Sequence, residues 1–328
     1  MVLKNILQDE DIALLQDYRN RTDKKELKIS SIKQFIANYN ILSKIINEDD
    51  WIKDYDKVMN TIDNSGKGNS TQRNYLNCII QWCQVDGIDK DIVNKYIHER
   101  DKRNNIYNEN MATNKLSDED IIITKEELIT MFNKLDKLLK LKDIYKKNWS
   151  IMDNNDKDLY TFYVMMNLYM EHPLRNDYGS MLILQKKEYS LLKDEDKAGK
   201  NYLLRYNNTY SMAIGDYKTN KHNETAVIDI VDKPLSQVIR KYLKIKGNSG
   251  YLFEIKGQPI AKNQLTKFLQ KYNKEYLGKA VSTRSIRKSF YTELNKDGDV
   301  DVNELSKIAK NNLHSVGIAI DIYTKDTT

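Results

Sequence analysis

The 328-residue chain has only two cysteines and four histidines, and no apolar run of eighteen residues. Cys78 and Cys83 lie five apart in a helix-like segment. That is the pattern of core thiols in a reducing compartment, so neither a disulfide nor a thiolate metal site is expected. The histidines are scattered without zinc-ligand spacing, and no metal or other cofactor is expected. Without a long apolar stretch there is no candidate membrane span. The N-terminus, Met1–Leu7, lacks the apolar region and small-residue cleavage site of a secretory signal, so the expected location is intracellular, in a cytoplasm or a host nucleus.

What is present suits a folded chain of two domains, with 40% hydrophobic and 30% charged residues. The net charge of +6 is unevenly placed. Residues 1–117 hold 18 basic and 18 acidic residues, so the whole excess lies behind them. A basic bias confined to one part of a chain fits a phosphate-binding surface.

Periodicity divides the chain. Residues 1–25 are polar, with one short amphipathic piece at Ile12–Leu15, and are expected as an arm or short helix. Apolar residues then recur at three and four from Ser30, as in Ile32, Phe35, Ile36 and Tyr39, and again through Trp51–Asn60, Thr71–Gln84 and Lys90–Arg103. Residues 26–104 therefore read as an all-α domain. The Asn-rich stretch 105–117 reads as a linker. From 118 onward, Thr124 and Glu127 form a capping box at the head of a helix running through Leu141. Leu159–Tyr169 is an apolar helix, which Pro173 ends. The period then shortens to that of strands in Tyr202–Tyr206, Thr209–Gly215 and Thr225–Val231, separated by hairpin-turn residues. Helical patterning returns in Ser236–Lys246, Lys262–Leu277, Ser282–Asn295 and Asn303–Lys310. The fold class expected is mainly α with one small antiparallel β-sheet (α+β).

The chemistry-bearing candidates begin with Tyr323, which has a histidine, His314, nine residues upstream. A phenol is a poor nucleophile at neutral pH and becomes useful only where cations stabilise developing charge. Three cations stand in suggestive settings. Arg175 follows a helix in His172-Pro173-Leu174-Arg175-Asn176-Asp177-Tyr178. Lys218 lies between two strand-like runs, with Lys221 as its rival. Arg287 lies on a helix with Arg284 three residues before it. Arginine suits phosphate because its planar fork donates two parallel hydrogen bonds and stays charged. A lysine in a groove can give up a proton when its pKa is lowered.

In this order and spacing the residues resemble the signature of the tyrosine recombinases, the phage-integrase-like DNA breaking–rejoining enzymes. The wording around Arg175 looks nearest to integrases of large DNA viruses and their satellite elements. The resemblance covers Ile122–Lys325 and, more loosely, the helical region before it. It implies an N-terminal all-α DNA-clamping domain and a catalytic domain over residues 118–328. It also implies double-stranded DNA as partner, a homotetramer on two DNA sites, and cleavage through a 3′-phosphotyrosyl link at Tyr323. Arg175, Arg284 and Arg287 would then face the phosphate, Lys218 would be the general acid, and His314 would complete the site. Two departures stand out. Arg284 occupies a place where the family usually has histidine or lysine. The acid usually found three residues after the first arginine is replaced by Tyr178, with Asp177 one residue earlier. A type IB topoisomerase shares much of this signature, and a catalytically inactive DNA-binding protein is the alternative from another class.

Overall fold

A computed structural model describes residues 6–22, 27, 29–112, 121–217, 225–296 and 301–320. Lys218, Lys221 and Tyr323 lie outside the described residues, as do residues 113–117 of the expected linker. The chain divides into two compact units, Met1–Thr113 and Asn114–Thr328.

The first unit is helical: α1 (Asp11–Arg21), α2 (Ile29–Ile46), α3 (Tyr55–Asp63), α4 (Asn69–Val85) and α5 (Lys90–Ala112). Its core closes on two buried tryptophans, Trp51 and Trp82, whose rings lie 5.0 and 6.1 Å from that of Tyr39. Both cysteines are buried in α4, with free thiols, and the Cys78 thiol donates to the Phe35 carbonyl. Burial pushes both thiols up, Cys83 to about 12, so they stay protonated.

The stretch expected as a linker is corrected at its start, because α5 continues to Ala112. Asparagine is a weak helix former, but contacts with the head of α4 hold the added turns. Arg73 donates to Asn104 and stacks over the Tyr107 ring, and Asn69 donates to the Arg103 carbonyl. Arg103 itself pairs with Asp63 and Glu99.

The second unit is α+β, mainly α with a small four-stranded sheet and a two-stranded one. Its helices are α6 (Lys125–Leu141), α7 (Asn154–Glu171), α8 (Lys186–Ser190), α9 (Asp194–Ala198), α10 (Lys233–Lys246), α11 (Lys262–Leu277), α12 (Thr283–Leu294), α13 (Val302–Asn311) and the short α14 (Val316–Ile318). The capping box at Thr124 and Glu127 is formed. The sheet order is β1 (Leu182–Gln185), β2 (Asn201–Tyr206), β3 (Thr209–Ile214), β4 (Ala226–Ile230). β2, β3 and β4 are antiparallel, as the turn residues imply, whereas β1 pairs with β2 in parallel and makes the sheet mixed. A parallel neighbour needs a crossover rather than a hairpin; here α8 and α9 provide it. A second hairpin, β5 (Glu254–Ile255) with β6 (Gln258–Pro259), precedes α11.

α7 runs through the centre of this unit. Leu159, Phe162, Val164, Met165, Met166, Leu168 and Tyr169 are all buried, which is why its apolar pattern runs round the helix rather than along one stripe. Among the described residues no helix is long and apolar enough to cross a membrane.

Candidate active site

The sharp turn after α7 sets the position of Arg175. α7 ends as the His172 N–H donates to Leu168, and Pro173 cannot continue the ladder. Two buried tyrosines then fasten the turn. The Tyr169 hydroxyl donates to the Arg175 carbonyl at 2.8 Å, and the Tyr178 hydroxyl donates to the His172 carbonyl at 2.7 Å. Their rings meet edge to face at 4.8 Å. Tyr178 is thus fully buried and serves the end of α7.

Asp177, one residue earlier, is held against the backbone of Arg175. The 3₁₀ turn Asn176–Tyr178 folds its carboxylate back to accept the Arg175 backbone N–H at 3.1 Å. Asp177 is 3% exposed. Burial pushes its pKa up, while Lys262, Arg175 and Arg287 pull it down.

The other end of Arg175 reaches α13. Its Nη1 donates to the Leu313 carbonyl at 3.3 Å, a contact spanning 138 residues. Leu313 takes a left-handed conformation (φ 60°) just past the helix. His314 N–H then bonds the Ala309 carbonyl, in the manner of a helix-ending turn that normally favours glycine. This turn aims the Leu313 carbonyl at Arg175 and leaves His314 only 9% exposed.

His314 Nδ1 lies 2.8 Å from the Asn312 carbonyl, which can only accept, so Nδ1 carries a proton. The ring packs edge to face on Tyr291 at 5.1 Å, and the Tyr291 hydroxyl accepts from Asn312. Burial lowers the His314 pKa to about 4. The Asn312 bond opposes this shift, and the Arg287 and Arg175 charges add to it. At neutral pH the imidazole is therefore uncharged, with Nε2 as an acceptor.

Arg287 comes from the inward face of α12, between buried Ile286 and Lys288. It is 5% exposed, and its charge acts on Asp177, His314 and Tyr169. Arg175, Arg287 and His314 are thus brought together. Arg284 is not: it sits exposed in the first turn of α12 and makes no hydrogen bond or ion pair among the described residues. Residues three apart share a helix face, so the exposure of Arg284 comes from its place in the opening turn of α12 rather than from the opposite side of the helix.

Three further residues tie this cluster together. The Asn176 side-chain oxygen accepts from Thr283 (2.9 Å) and Thr266 (3.2 Å). Asn201, 3% exposed, donates to the backbone carbonyls of Asp177 (2.8 Å) and Asp216 (3.2 Å), and accepts from the Asp216 N–H. Lys262 lies 2.8 Å from the Asp216 carboxylate and 3.8 Å from that of Asp177. Asp216 stands two residues before Lys218 in the chain, at the start of the β3–β4 connection. Two glycines allow this closeness. A Cβ at Gly179 would fall 2.8 Å from the Lys262 backbone, and one at Gly215 would fall 2.1 Å from the Lys197 carbonyl oxygen. Residue spacing gave no sign of Asn176, Asn201 or Lys262. Asn176 had the one available signal, its place next to Arg175, and Asn201 and Lys262 had none.

Among the described residues no group of three or more His, Cys, Asp or Glu side chains gathers as a metal site would. The arrangement is a cationic cluster: two guanidiniums and a neutral imidazole, with one buried carboxylate among them. Such a set binds an oxyanion and stabilises charge growing on it.

This is the mainly α, α+β fold of the tyrosine recombinases. The XerH site-specific recombinase bound to difH substrate, in a pre-cleavage complex, aligns with a TM-score of 0.52 at 13% identity, over 96% of this chain and 81% of that one. The post-cleavage complex of XerH with palindromic difH substrate aligns with a TM-score of 0.51 at 13% identity, over 98% and 82%. The sequence matches no protein-family model and no curated protein.

Proposed function

We propose that the protein is a site-specific DNA recombinase or integrase that cuts and rejoins strands through Tyr323. The observation that carries this reading is the convergence of Arg175 and Arg287 on His314 and Asp177, in a chain with this fold. The partner is duplex DNA, and strand exchange takes place between two DNA sites in a homotetramer.

In the proposed step the phenolic oxygen of Tyr323 attacks the scissile phosphorus and the P–O5′ bond breaks. The products are a 3′-phosphotyrosyl link and a free 5′-hydroxyl. Lys218 supplies the proton to the leaving 5′-oxygen, and His314 Nε2 takes the one lost by Tyr323. The arriving phosphate anion makes that transfer easier, because its charge offsets the two guanidiniums that depress the imidazole. Arg175 and Arg287 bind the non-bridging oxygens, where charge grows in the transition state. The phosphotyrosyl link conserves the bond energy, so the reverse attack by a partner strand's 5′-hydroxyl needs no nucleotide. Acceleration comes from positioning and fixed charge.

The test is a nicked suicide duplex that loses its 5′ fragment after cleavage. Wild-type protein should become covalently attached to DNA, and Tyr323→Phe should bind equally well and form no adduct. An adduct that persists in Tyr323→Phe moves the nucleophile elsewhere, with Tyr291 and Tyr217 the next to examine.

A further inference from the structure

Arg175 and Arg287 sit 112 positions apart in the sequence, on a turn and on a helix that share no backbone hydrogen bond among the described residues. Two guanidiniums that must meet one phosphate need a fixed separation. A displacement of even an ångström at a reacting centre costs large factors in rate. The contact that spans the two elements is made by Asn176, the residue after Arg175. Its side-chain oxygen accepts from Thr283, the first residue of α12, at 2.9 Å, and from Thr266 on α11 at 3.2 Å. Thr283 is 7% exposed, so its hydroxyl is shielded from competing water. Its register is fixed in turn by the α12 N-cap, where Ser282 accepts from the Ser285 N–H. Ile286, one turn further, anchors the same helix face in the core and leaves Arg287 beside it.

We infer that Asn176 and Thr283 are positioning residues, whose hydrogen bond sets the Arg175 turn at a fixed spacing from the first turn of α12 and so from Arg287. Neither touches the phosphate. The inference rests on the proposed function, in which both arginines hold the scissile phosphate.

The experiment uses the full-length protein and single-turnover cleavage of bound suicide duplex, with Thr283→Val, Thr283→Ser and Asn176→Ala. Each is measured on an ordinary phosphodiester and on a methylphosphonate, whose scissile phosphorus carries one charged oxygen fewer. Thr283→Val should slow the ordinary substrate by roughly threefold to tenfold, the effect of one neutral buried hydrogen bond read through a barrier. The loss should shrink on the methylphosphonate, where two precisely spaced cations matter less. Thr283→Ser, which keeps the hydroxyl, should restore the rate. Asn176→Ala combined with Thr283→Val should be no slower than Asn176→Ala alone, because Asn176→Ala already removes the Thr283 bond along with the one from Thr266. A folding defect would instead slow both substrates alike and lower the melting temperature of Thr283→Val. An equal loss on both substrates, an unchanged rate in Thr283→Val, or no restoration by Thr283→Ser overturns the inference. If wild-type protein forms no adduct, or the loss in an Arg175→Ala control does not shrink on the methylphosphonate, the proposed function falls and takes this inference with it. When both controls behave, only the role of Asn176 and Thr283 is at stake.

Discussion

His314→Gln, compared with the wild-type chain from about pH 7.5 down to about pH 4, isolates the cost of a buried imidazole between two guanidiniums. His314 is 9% exposed and its pKa is lowered from 6.5 to about 4 by burial, with Arg287 and Arg175 adding to the shift. Its folded pKa lies below its unfolded one, so the unfolded chain binds the proton more tightly. The resulting stability is present above about pH 6.5 and is lost as pH falls through the window toward about 4. Each tenfold in proton affinity is about 1.4 kcal/mol, so the full loss from this residue is on the order of 3 kcal/mol. Urea unfolding across that range, with the slope m checked for constancy, reads it directly. The wild-type midpoint should fall below that of His314→Gln progressively as pH drops, and an anion in the pocket, such as phosphate, should shrink the difference. Parallel curves for the two proteins would refute the claim that His314 is buried neutral beside both arginines.

Lys218→Ala should slow cleavage of an ordinary phosphodiester but recover on a substrate with a 5′-bridging sulfur, whose thiolate leaves without a proton; the same recovery in Lys221→Ala instead would transfer the role to Lys221. Arg284→Ala should leave the single-turnover cleavage rate of bound DNA unchanged, since Arg284 is exposed and outside the cationic cluster. Its effect should appear as weaker, less salt-dependent DNA binding in a titration over salt. Gly179→Ala should lower the unfolding free energy by about 1–3 kcal/mol, the usual cost of overpacking, read as a lower urea midpoint, because its Cβ meets the backbone of Lys262.

The helices were legible because their apolar residues recur at three and four and their caps are written in the sequence, as at Thr124 and Glu127. The three antiparallel strands were legible from alternation and from their turns. β1 was not, since Leu182–Leu184 is a short apolar run whose partner lies across a crossover. The continuation of α5 was hidden because contacts from Arg73 and Asn69, rather than local propensity, hold it. In the candidate site, Arg175, Arg287 and His314 could be picked out through motif order. Arg284 could not be separated from them, because motif order does not say how far the opening turn of a helix is covered. Asn201 and Lys262 carry no motif, and Asn176 was visible only as the neighbour of Arg175. Their importance comes from partners about 15 to 107 positions away, which only the folded chain brings within reach.

That long reach bears on when the cluster comes into being. Arg175 bonds Leu313 across 138 residues, and Asn176 bonds Thr283 across 107. A chain growing from the ribosome can form α7 and its tyrosine-fastened turn early, since those contacts span ten residues or fewer. It cannot gather the two guanidiniums and the imidazole until α12 and α13 have been made and docked. Loop closure over such distances is slow and comes late. The cationic cluster is therefore a property of the finished second unit, and a chain in which α12 and α13 are not yet docked does not hold it.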